Sequence, residues 1–571
     1  MNKEKKKSQV WIWVSVAGGL LLLCVLLLRC FLPVLLEKAF LNKLHEAERT
    51  YGLRVRVDGM AFSDCSLRGT FMFSADSMRV QRNFQDSDIV RVIAPEVRMR
   101  AWKGLHKAVV LHAFRAEDIR VCWGTVADSA AQDGPRSGGG KKKISPGRLL
   151  DDFREHCPQK VEVVHLDCRY HDLTFLAENA GFRCHPAGRK GKIRNYRLQA
   201  GLREMQCAHP YLSGKPLRMD SIRLDWMLHL SSGTFEIDSV SRFQCHTLLL
   251  HPYLRVERGK TTHLVFRLDE PVDADSCFSA LPEALFTVLP SLKAKGKIDC
   301  YCFLDVDFSL IDSLKFDFNL HSGRPSFRVV EGLENITRFN APFEYTFCRN
   351  GEAVRTVSVG PENSFFCPFD RIPEALTASI LASEDASFFR HRGFVKSSIQ
   401  SALIDDIKAG RMRRGGSTIS MQLVKNLYLN RQKVLTRKLE EMMLVWMIED
   451  HALMSKERMF EIYVNIIEWG PDILGIGEAA DFYFHKKPSE LELNECVYLA
   501  TLIRAPRHYA SSLQPDGMVT EARQAELQFV ADRMLDRGLI TEAQHAVFSP
   551  QVQTVVVRQA EPVAQDRMIK Q

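Results

Sequence analysis

The fifteen cysteines of this chain are scattered singly, apart from Cys300 and Cys302. No Cys-x-x-Cys pair and no zinc-like spacing occurs, which argues against a thiolate metal cluster. Some of the cysteines are free to pair in an oxidising compartment, and their spacing leaves the connectivity open. A strong bias of charge is also missing. The 77 lysines and arginines face 69 aspartates and glutamates, a net charge of +8 over 571 residues. Bulk charge therefore gives no reason to expect a nucleic-acid partner. Long apolar runs are lacking everywhere except at the N-terminus.

That exception is a strong signal. MNKEKKKSQ carries four lysines and one glutamate, and Val10 to Leu28 follows without a charge. Nineteen residues in a helix rise about 28 Å, close to the roughly 30 Å hydrocarbon core of a bilayer. The flanking lysines place the N-terminus in the cytoplasm and the rest of the chain outside. A cleaved signal peptide is the rival, but Arg29, Cys30, Phe31 and Pro33 stand where a small-residue cleavage site belongs.

Residues 50–350 alternate with a period of two. Ile222, Leu224, Trp226, Leu228 and Leu230 face one way, as do Thr262, Leu264, Phe266 and Leu268. Leu304, Val306 and Phe308 alternate with Asp305 and Asp307, and Leu314, Phe316, Phe318 and Leu320 repeat the pattern. This predicts sheets with one buried face, joined by short turns between antiparallel neighbours. Asp128 to Gly147, with GPRSGGGKKK, reads as a polar flexible loop. The region holds no catalytic cluster. A spacer and an apolar lipid-holding groove are its two readings. The rhythm of LKAKGKIDCYCFLDVDFSLIDSLKFDFNL resembles the bacterial AsmA-like envelope proteins.

Near residue 360 the pattern turns helical, with Pro373 at a helix start. ASEDASFFRHRG at 382–393 then concentrates chemistry. Glu384, Phe388 and His391 are spaced i, i+4, i+7 and share a face if the helix continues. By itself this is an ordinary surface-to-core transition. Between Lys408 and Leu439, however, stand nine basic residues and no acidic one. Within that run, GGSTISMQLVKNLYL reads as a loop feeding a helix N-terminus, whose free N–H groups suit an anion. The amphipathic stretch 394–430 suits a membrane surface, and its mixture of charge and apolar residues suits a phosphate-bearing, membrane-located ligand. In TRKLEEMMLVWMIED, Leu435, Leu439, Met442 and Trp446 form a stripe, and Arg437 and Glu441 are four apart and able to pair.

Five blocks in order carry a resemblance. They are Glu384, Asp385, Phe388, His391 and Gly393; Gly415 to Ile419 with Gln422; Arg437, Lys438 and Glu441; Lys456, Tyr463, Asn465, Gly470, Gly475, Ala479, Tyr483 and Phe484; and Glu495, Leu499, Pro506 and Tyr509. Together they resemble the family 51 glycosyltransferases, the peptidoglycan polymerases, of the monofunctional biosynthetic type. The departures are small. Ser420-Met421 replaces the usual Thr-Gln, Lys433 stands where the family often has arginine, the link from Glu441 to Lys456 is longer, and Cys496 fills a small-residue position. After residue 515 there is no Ser-x-x-Lys motif and too little chain for a transpeptidase domain.

The resemblance implies that lipid II is added to a growing glycan strand at the outer face of the cytoplasmic membrane, with inversion. It implies Glu384 and Glu441 as catalytic residues, with Glu384 the general base. Glu441 then serves the donor diphosphate, directly or through a divalent cation (Mg or Mn), or positions the sugar; no metal ligand set is assigned. Asp385, His391, Ser417, Thr418, Gln422, Lys425, Lys433, Arg437, Lys438 and Asn465 are the implied substrate-binding residues. Implied partners are lipid II, the glycan strand, the membrane and a partner transpeptidase, with no nucleic acid. The expected architecture is α+β and multidomain. It has a cytoplasmic tail at 1–9, a transmembrane anchor at 10–32, and an antiparallel β-rich periplasmic region at 45–350 with a flexible loop at 127–147. A mostly α, lysozyme-like glycosyltransferase domain follows at 355–545, its motif core at 380–512, and then a tail at 546–571. Two alternatives remain at this point: a lytic lysozyme-like enzyme, and a lipid-binding or scaffolding envelope protein with an inactive transferase domain.

Overall fold

The computed structural model describes residues 53–63, 70–82, 88–101, 109–123 and 159–556, with internal breaks at 211–214, 232, 260, 320–326, 350, 410–415 and 430–434, and a few helical positions between 37 and 45. The expected tail at 1–9, anchor at 10–32 and loop at 127–147 lie outside the described residues. Among the described residues no helix is long and apolar enough to cross a membrane, and the cysteines carry free thiols.

The chain divides into two compact units, residues 1–272 with 282–285, and residues 273–281 with 286–571. The first is a sheet. Its strands are β1 (Leu53–Asp58), β2 (Ala61–Ser63), β3 (Thr70–Ser74), β4 (Ser77–Arg82), β5 (Asp88–Ile93), β6 (Glu96–Ala101), β7 (Val109–Trp123), β8 (Lys160–Tyr170), β9 (Leu173–Lys190), β10 (Ile193–Ala208), β11 (Leu217–Leu230), β12 (Thr234–Ile237), β13 (Arg242–Cys245), β14 (Leu248–Leu250), β15 (Tyr253–Arg258) and β16 (Thr262–Asp273). The alternation read from sequence is realised in the register. Leu198 lies opposite Trp226, Ala200 opposite Leu224 and Leu202 opposite Ile222, which puts the apolar set on one face. Arg197 and Asp225 meet on the other face at 2.7 Å. One pairing departs from the antiparallel expectation. β7 and β8 run parallel, Ala113 opposite Lys160 through to Trp123 opposite Tyr170. Residues 124–159 supply the long connection that parallel neighbours require.

The second unit begins at Asp273, ahead of the boundary near 350–355 expected from sequence. Strands β17 (Lys293–Asp307), β18 (Lys315–Asn319) and β19 (Phe327–Glu331) belong to it. The expected hairpin is present, with Leu304 opposite Phe316. Val306 and Leu314 are buried, whereas Phe308 falls past the strand end and is exposed. A further hairpin, β20 (Phe343–Arg349) with β21 (Glu352–Val359), precedes the helices. These are α1 (Glu374–Ser383), α2 (Lys396–Ala409), α3 (Ile419–Tyr428), α4 (Leu435–Asp450), α5 (Lys456–Ile466), α6 (Gly475–Phe484), α7 (Leu493–Leu502), α8 (Glu521–Asp536) and α9 (Glu542–Ala546). β18 and the turn before it meet α2 and the residue Phe394 just ahead of that helix. Lys396 Nζ meets Asp317 at 2.5 Å, Gln400 donates to the Leu314 carbonyl at 2.8 Å, and the Phe318 and Phe394 rings lie 5.3 Å apart.

Helix α1 starts where Pro373 predicted, with that proline as its N-cap. Leu376, Ile380 and Ala382 are wholly buried, and α7 and α8 pack on the helix. Burial of Leu376 and of Ile380 contributes about 1.5–3 kcal/mol each. The chain beyond α9 is not wholly a tail. Val552 is buried, Val519 N–H donates to the Val552 carbonyl at 3.0 Å and Val555 N–H to the Tyr483 carbonyl at 2.9 Å.

Candidate active site

The helix carrying the Glu-Asp pair does not continue to His391. It ends at Ser383, and Glu384 is its C-cap. Turns follow, closed by Phe388 N–H on the Asp385 carbonyl and by Arg390 and His391 N–H on the Ser387 carbonyl. The common helical face of Glu384, Phe388 and His391 expected from spacing is therefore not formed. Side-chain bonds compete with the helix here. The buried Asp385 carboxylate accepts from His391 Nε2 at 2.8 Å and from the Ile419 N–H at 3.1 Å.

That second bond corrects another expectation. The N-terminus of α3 is not open to an external anion through its leading donors. Asp385 takes the Ile419 N–H, and the N-cap Thr418 takes the Met421 N–H at 3.3 Å. The favourable negative charge at this helix end belongs to the protein itself. Thr418 Oγ1 in turn donates to the Gly393 carbonyl at 2.6 Å. Gly393 lies at φ +85, and a Cβ there would stand 2.5 Å from Val445, so glycine is required on both counts.

The Glu384 carboxylate is almost covered, its side chain 11% exposed. Oε2 accepts from Gln422 Nε2 at 2.9 Å, and Oε1 from Arg504 Nε at 3.2 Å. Tyr463 donates its hydroxyl to Gln422 Oε1 at 3.1 Å, which fixes the amide with its NH₂ toward Glu384. Burial, reinforced by Glu384 and Asp385, holds the Tyr463 phenol well above its ordinary pKa. It is therefore a neutral donor across the working range.

A second cluster forms on α4. Glu441 is buried and pairs with Lys438 at 2.5 Å. Arg437, the partner expected from i, i+4 spacing, does not bind it. Lys438 Nζ also donates to Ser417 Oγ at 2.9 Å, which ties the loop before α3 to α4. Arg437 keeps a buried Nε without a hydrogen-bond partner. Lys425 follows Gln422 by three residues on α3 and is half-buried. Lys433 lies outside the described residues.

Behind the turn, Lys456 Nζ sits 4.3 Å from the centre of the Phe388 ring and bonds Glu449 at 2.6 Å. Burial pushes the Lys456 ammonium below its ordinary pKa, and Glu449 opposes that shift. Ser420 Oγ donates to the same carboxylate at 2.5 Å.

The sequence model of the transglycosylase family matches residues 350–535. A biosynthetic peptidoglycan transglycosylase of Methylobacillus flagellatus is 41% identical over 155 residues, 27% of this chain and 67% of its own length. The protein of the same name from Laribacter hongkongensis is 39% identical over 165 residues, 28% of this chain and 72% of its own. The chain belongs to the transglycosylase family. It is an enzyme, a peptidoglycan glycosyltransferase. A penicillin-binding protein 1A of Aquifex aeolicus is 36% identical over 188 residues, 33% of this chain and 25% of that protein.

Within this transglycosylase, the sequence-derived residues separate by what they touch. Glu384 and Gln422 meet directly, as do Asp385 and His391, and Ser417, Lys438 and Glu441. Asn465 does not join them. Its amide is spent on the Cys367 N–H and carbonyl at 2.9 and 2.8 Å and on the Glu461 carbonyl at 2.8 Å, so it fastens α5 to the chain before α1. Sequence reasoning passed over Arg504 and Glu449. A lone arginine after the apolar run of α7 was a faint signal for the first, and nothing local marked the second. Among the described residues no three His, Cys, Asp or Glu side chains gather at one point, and the Glu441 carboxylate already holds the Lys438 ammonium.

Proposed function

We propose that this glycosyltransferase extends a lipid-linked glycan strand with lipid II, using Glu384 as general base. The 4-hydroxyl of the incoming disaccharide gives its proton to Glu384 and attacks the anomeric carbon of the donor. The bond from that carbon to the diphosphate breaks, and inversion follows from attack opposite the leaving group. A diphosphate leaves as an anion, so it needs cations rather than a proton. Arg437, Lys438 and Lys425, with Lys433, are the proposed cations, and Glu441 holds Lys438 in place beside Ser417. The observation that carries the reading is the setting of Glu384. Its two oxygens are oriented by Gln422 and Arg504, and the carboxylate stays partly open. Ser417, Thr418, Asp385 and His391 are proposed to shape the substrate cleft by fixing its loops.

The location is part of the same reading. A polyprenyl tail costs about 0.8 kcal/mol per CH₂ to withdraw from the bilayer. The site therefore belongs at the outer membrane face, with residues 10–32 as anchor, a cytoplasmic N-terminus and the bulk of the chain periplasmic. The membrane and a partner transpeptidase are the proposed associates of the enzyme.

Glu384→Gln tests the reading. Loss of a general base costs roughly 10²–10⁴-fold, so polymer formation from labelled lipid II should nearly vanish while thermal unfolding stays unchanged. Retention of more than about a tenth of the wild-type rate contradicts the base assignment. Glu441→Gln should also be severely impaired, through weaker donor engagement.

A further inference from the structure

We propose that Arg504 is a positioning residue for the glycosyl transfer, a clamp that sets the Glu384 carboxylate by holding it and the backbone that carries it at once. The inference rests on Glu384 being the base. Arg504 follows α7, which packs along α1. From there its guanidinium reaches two points of the α1 C-terminus. Nη2 donates to the Ser383 carbonyl at 2.6 Å, and Nε donates to Glu384 Oε1 at 3.2 Å. A cation at a helix C-terminus is favourable in its own right, because the last carbonyls lack partners. Capping needs only the Ser383 contact. The second contact goes to the reacting side chain.

The two bonds have a joint consequence. Glu384 is the C-cap, with φ −110 and ψ −49, at the point where helix gives way to turn. A side chain at such an end has backbone freedom as well as rotamer freedom. Gln422 restrains one carboxylate oxygen, and its amide is itself held by Tyr463. Arg504 restrains the other oxygen and the preceding carbonyl together. Because the guanidinium is planar and rigid, fixing one of its donors fixes the others. Other charged and titratable groups near this carboxylate, among the described residues, include Asp385 beside it, the Tyr463 phenol on α5 and Arg533 on α8. Arg533 stands close enough that Glu384 and Arg504 both act on its charge. Among the described residues, the donors to the carboxylate itself are Arg504 and Gln422, and Arg504 is the charged one. Its side chain is 61% exposed, so the clamp lies within reach of solvent.

The test uses the full-length enzyme in detergent with labelled lipid II. Charge-assisted hydrogen bonds are strong enough that Arg504→Ala should lower kcat roughly ten- to a hundredfold. KM for lipid II should stay within about twofold, since Arg504 acts on the base and not on the substrate. Arg504→Lys supplies one point charge for two acceptors and should recover part of the loss. Millimolar guanidinium ion should restore activity to Arg504→Ala, because the vacated clamp is open to solvent, and should not restore the double variant Arg504→Ala/Glu384→Gln. Wild-type kcat in Arg504→Ala, or a higher kcat, overturns the proposal, as does a loss carried wholly in KM. A kcat loss in Arg504→Ala that neither guanidinium nor lysine recovers assigns Arg504 to helix capping and also overturns it. Should Glu384→Gln alone stay active, the base assignment has failed instead, whatever Arg504 does.

Discussion

Tyr463→Phe is the most revealing single change, because it removes one oxygen atom and leaves the packing volume. Tyr463 is fully buried. Its hydroxyl donates at 3.1 Å to Gln422 Oε1, and Gln422 then donates at 2.9 Å to Glu384. Deleting the hydroxyl leaves Gln422 Oε1 with an unmet acceptor in a covered place, which costs about 1–3 kcal/mol. Part of this appears as stability. The rest appears as a looser hold on the amide, whose donation to Glu384 is then less well oriented. An energy of about 1–2 kcal/mol at this step lowers kcat roughly five- to thirtyfold. That is clearly less than the loss expected for Glu384→Gln, because the base itself remains. The assay is steady-state polymerisation of labelled lipid II, paired with thermal unfolding. Wild-type kcat in Tyr463→Phe would refute the orienting chain and leave Gln422 acting alone. A loss as large as that of Glu384→Gln would refute it from the other side.

Three further outcomes follow from other parts of the molecule. Glu440 is buried, and one of its oxygens accepts the N–H groups of Thr287, Val288 and Leu289 at 2.6, 2.7 and 3.3 Å; Glu440→Ala strands these donors and should cost about 3–5 kcal/mol in urea unfolding of the second unit, with Glu440→Gln costing much less. A change within about 0.5 kcal/mol for Glu440→Ala would dismiss the anchor. Asp225 is held below its ordinary pKa by its hydrogen bonds to Arg197, so its contribution is present above its unfolded pKa of 3.8 and fades as pH falls through the lower folded value; Arg197→Met should therefore destabilise the first unit at pH 7 and make little difference near pH 2, and equal effects at both would refute the pairing. Burial pushes the thiols of Cys367 and Cys496 up to about 12, so both should resist maleimide labelling at pH 7.5 in the folded enzyme and label after unfolding, as peptide mass spectrometry would read; fast labelling of either in the folded state would contradict its burial.

The sequence by itself determined the elements whose signal is local. Period-two alternation found the β17–β18 hairpin and the apolar face of β11, because side-chain direction in a strand repeats every two residues. Pro373 marked the start of α1 for an equally local reason. Five blocks of residues in register identified the family, and with it Glu384 and Glu441. Tertiary structure decided how those residues are used. Asp385 satisfies the start of α3, thirty-four residues away in the chain, and by doing so helps end the helix that periodicity would have prolonged. Lys438, and not Arg437, takes Glu441, because Ser417 from another segment fixes the lysine there. Asn465 turns inward to backbone groups of Cys367, ninety-eight residues back. Arg504 meets Glu384 across a separation of 120 residues. No local pattern encodes such pairs. Each exists because helices packed by their apolar faces bring distant polar groups within hydrogen-bond range, where burial makes an unmet partner costly.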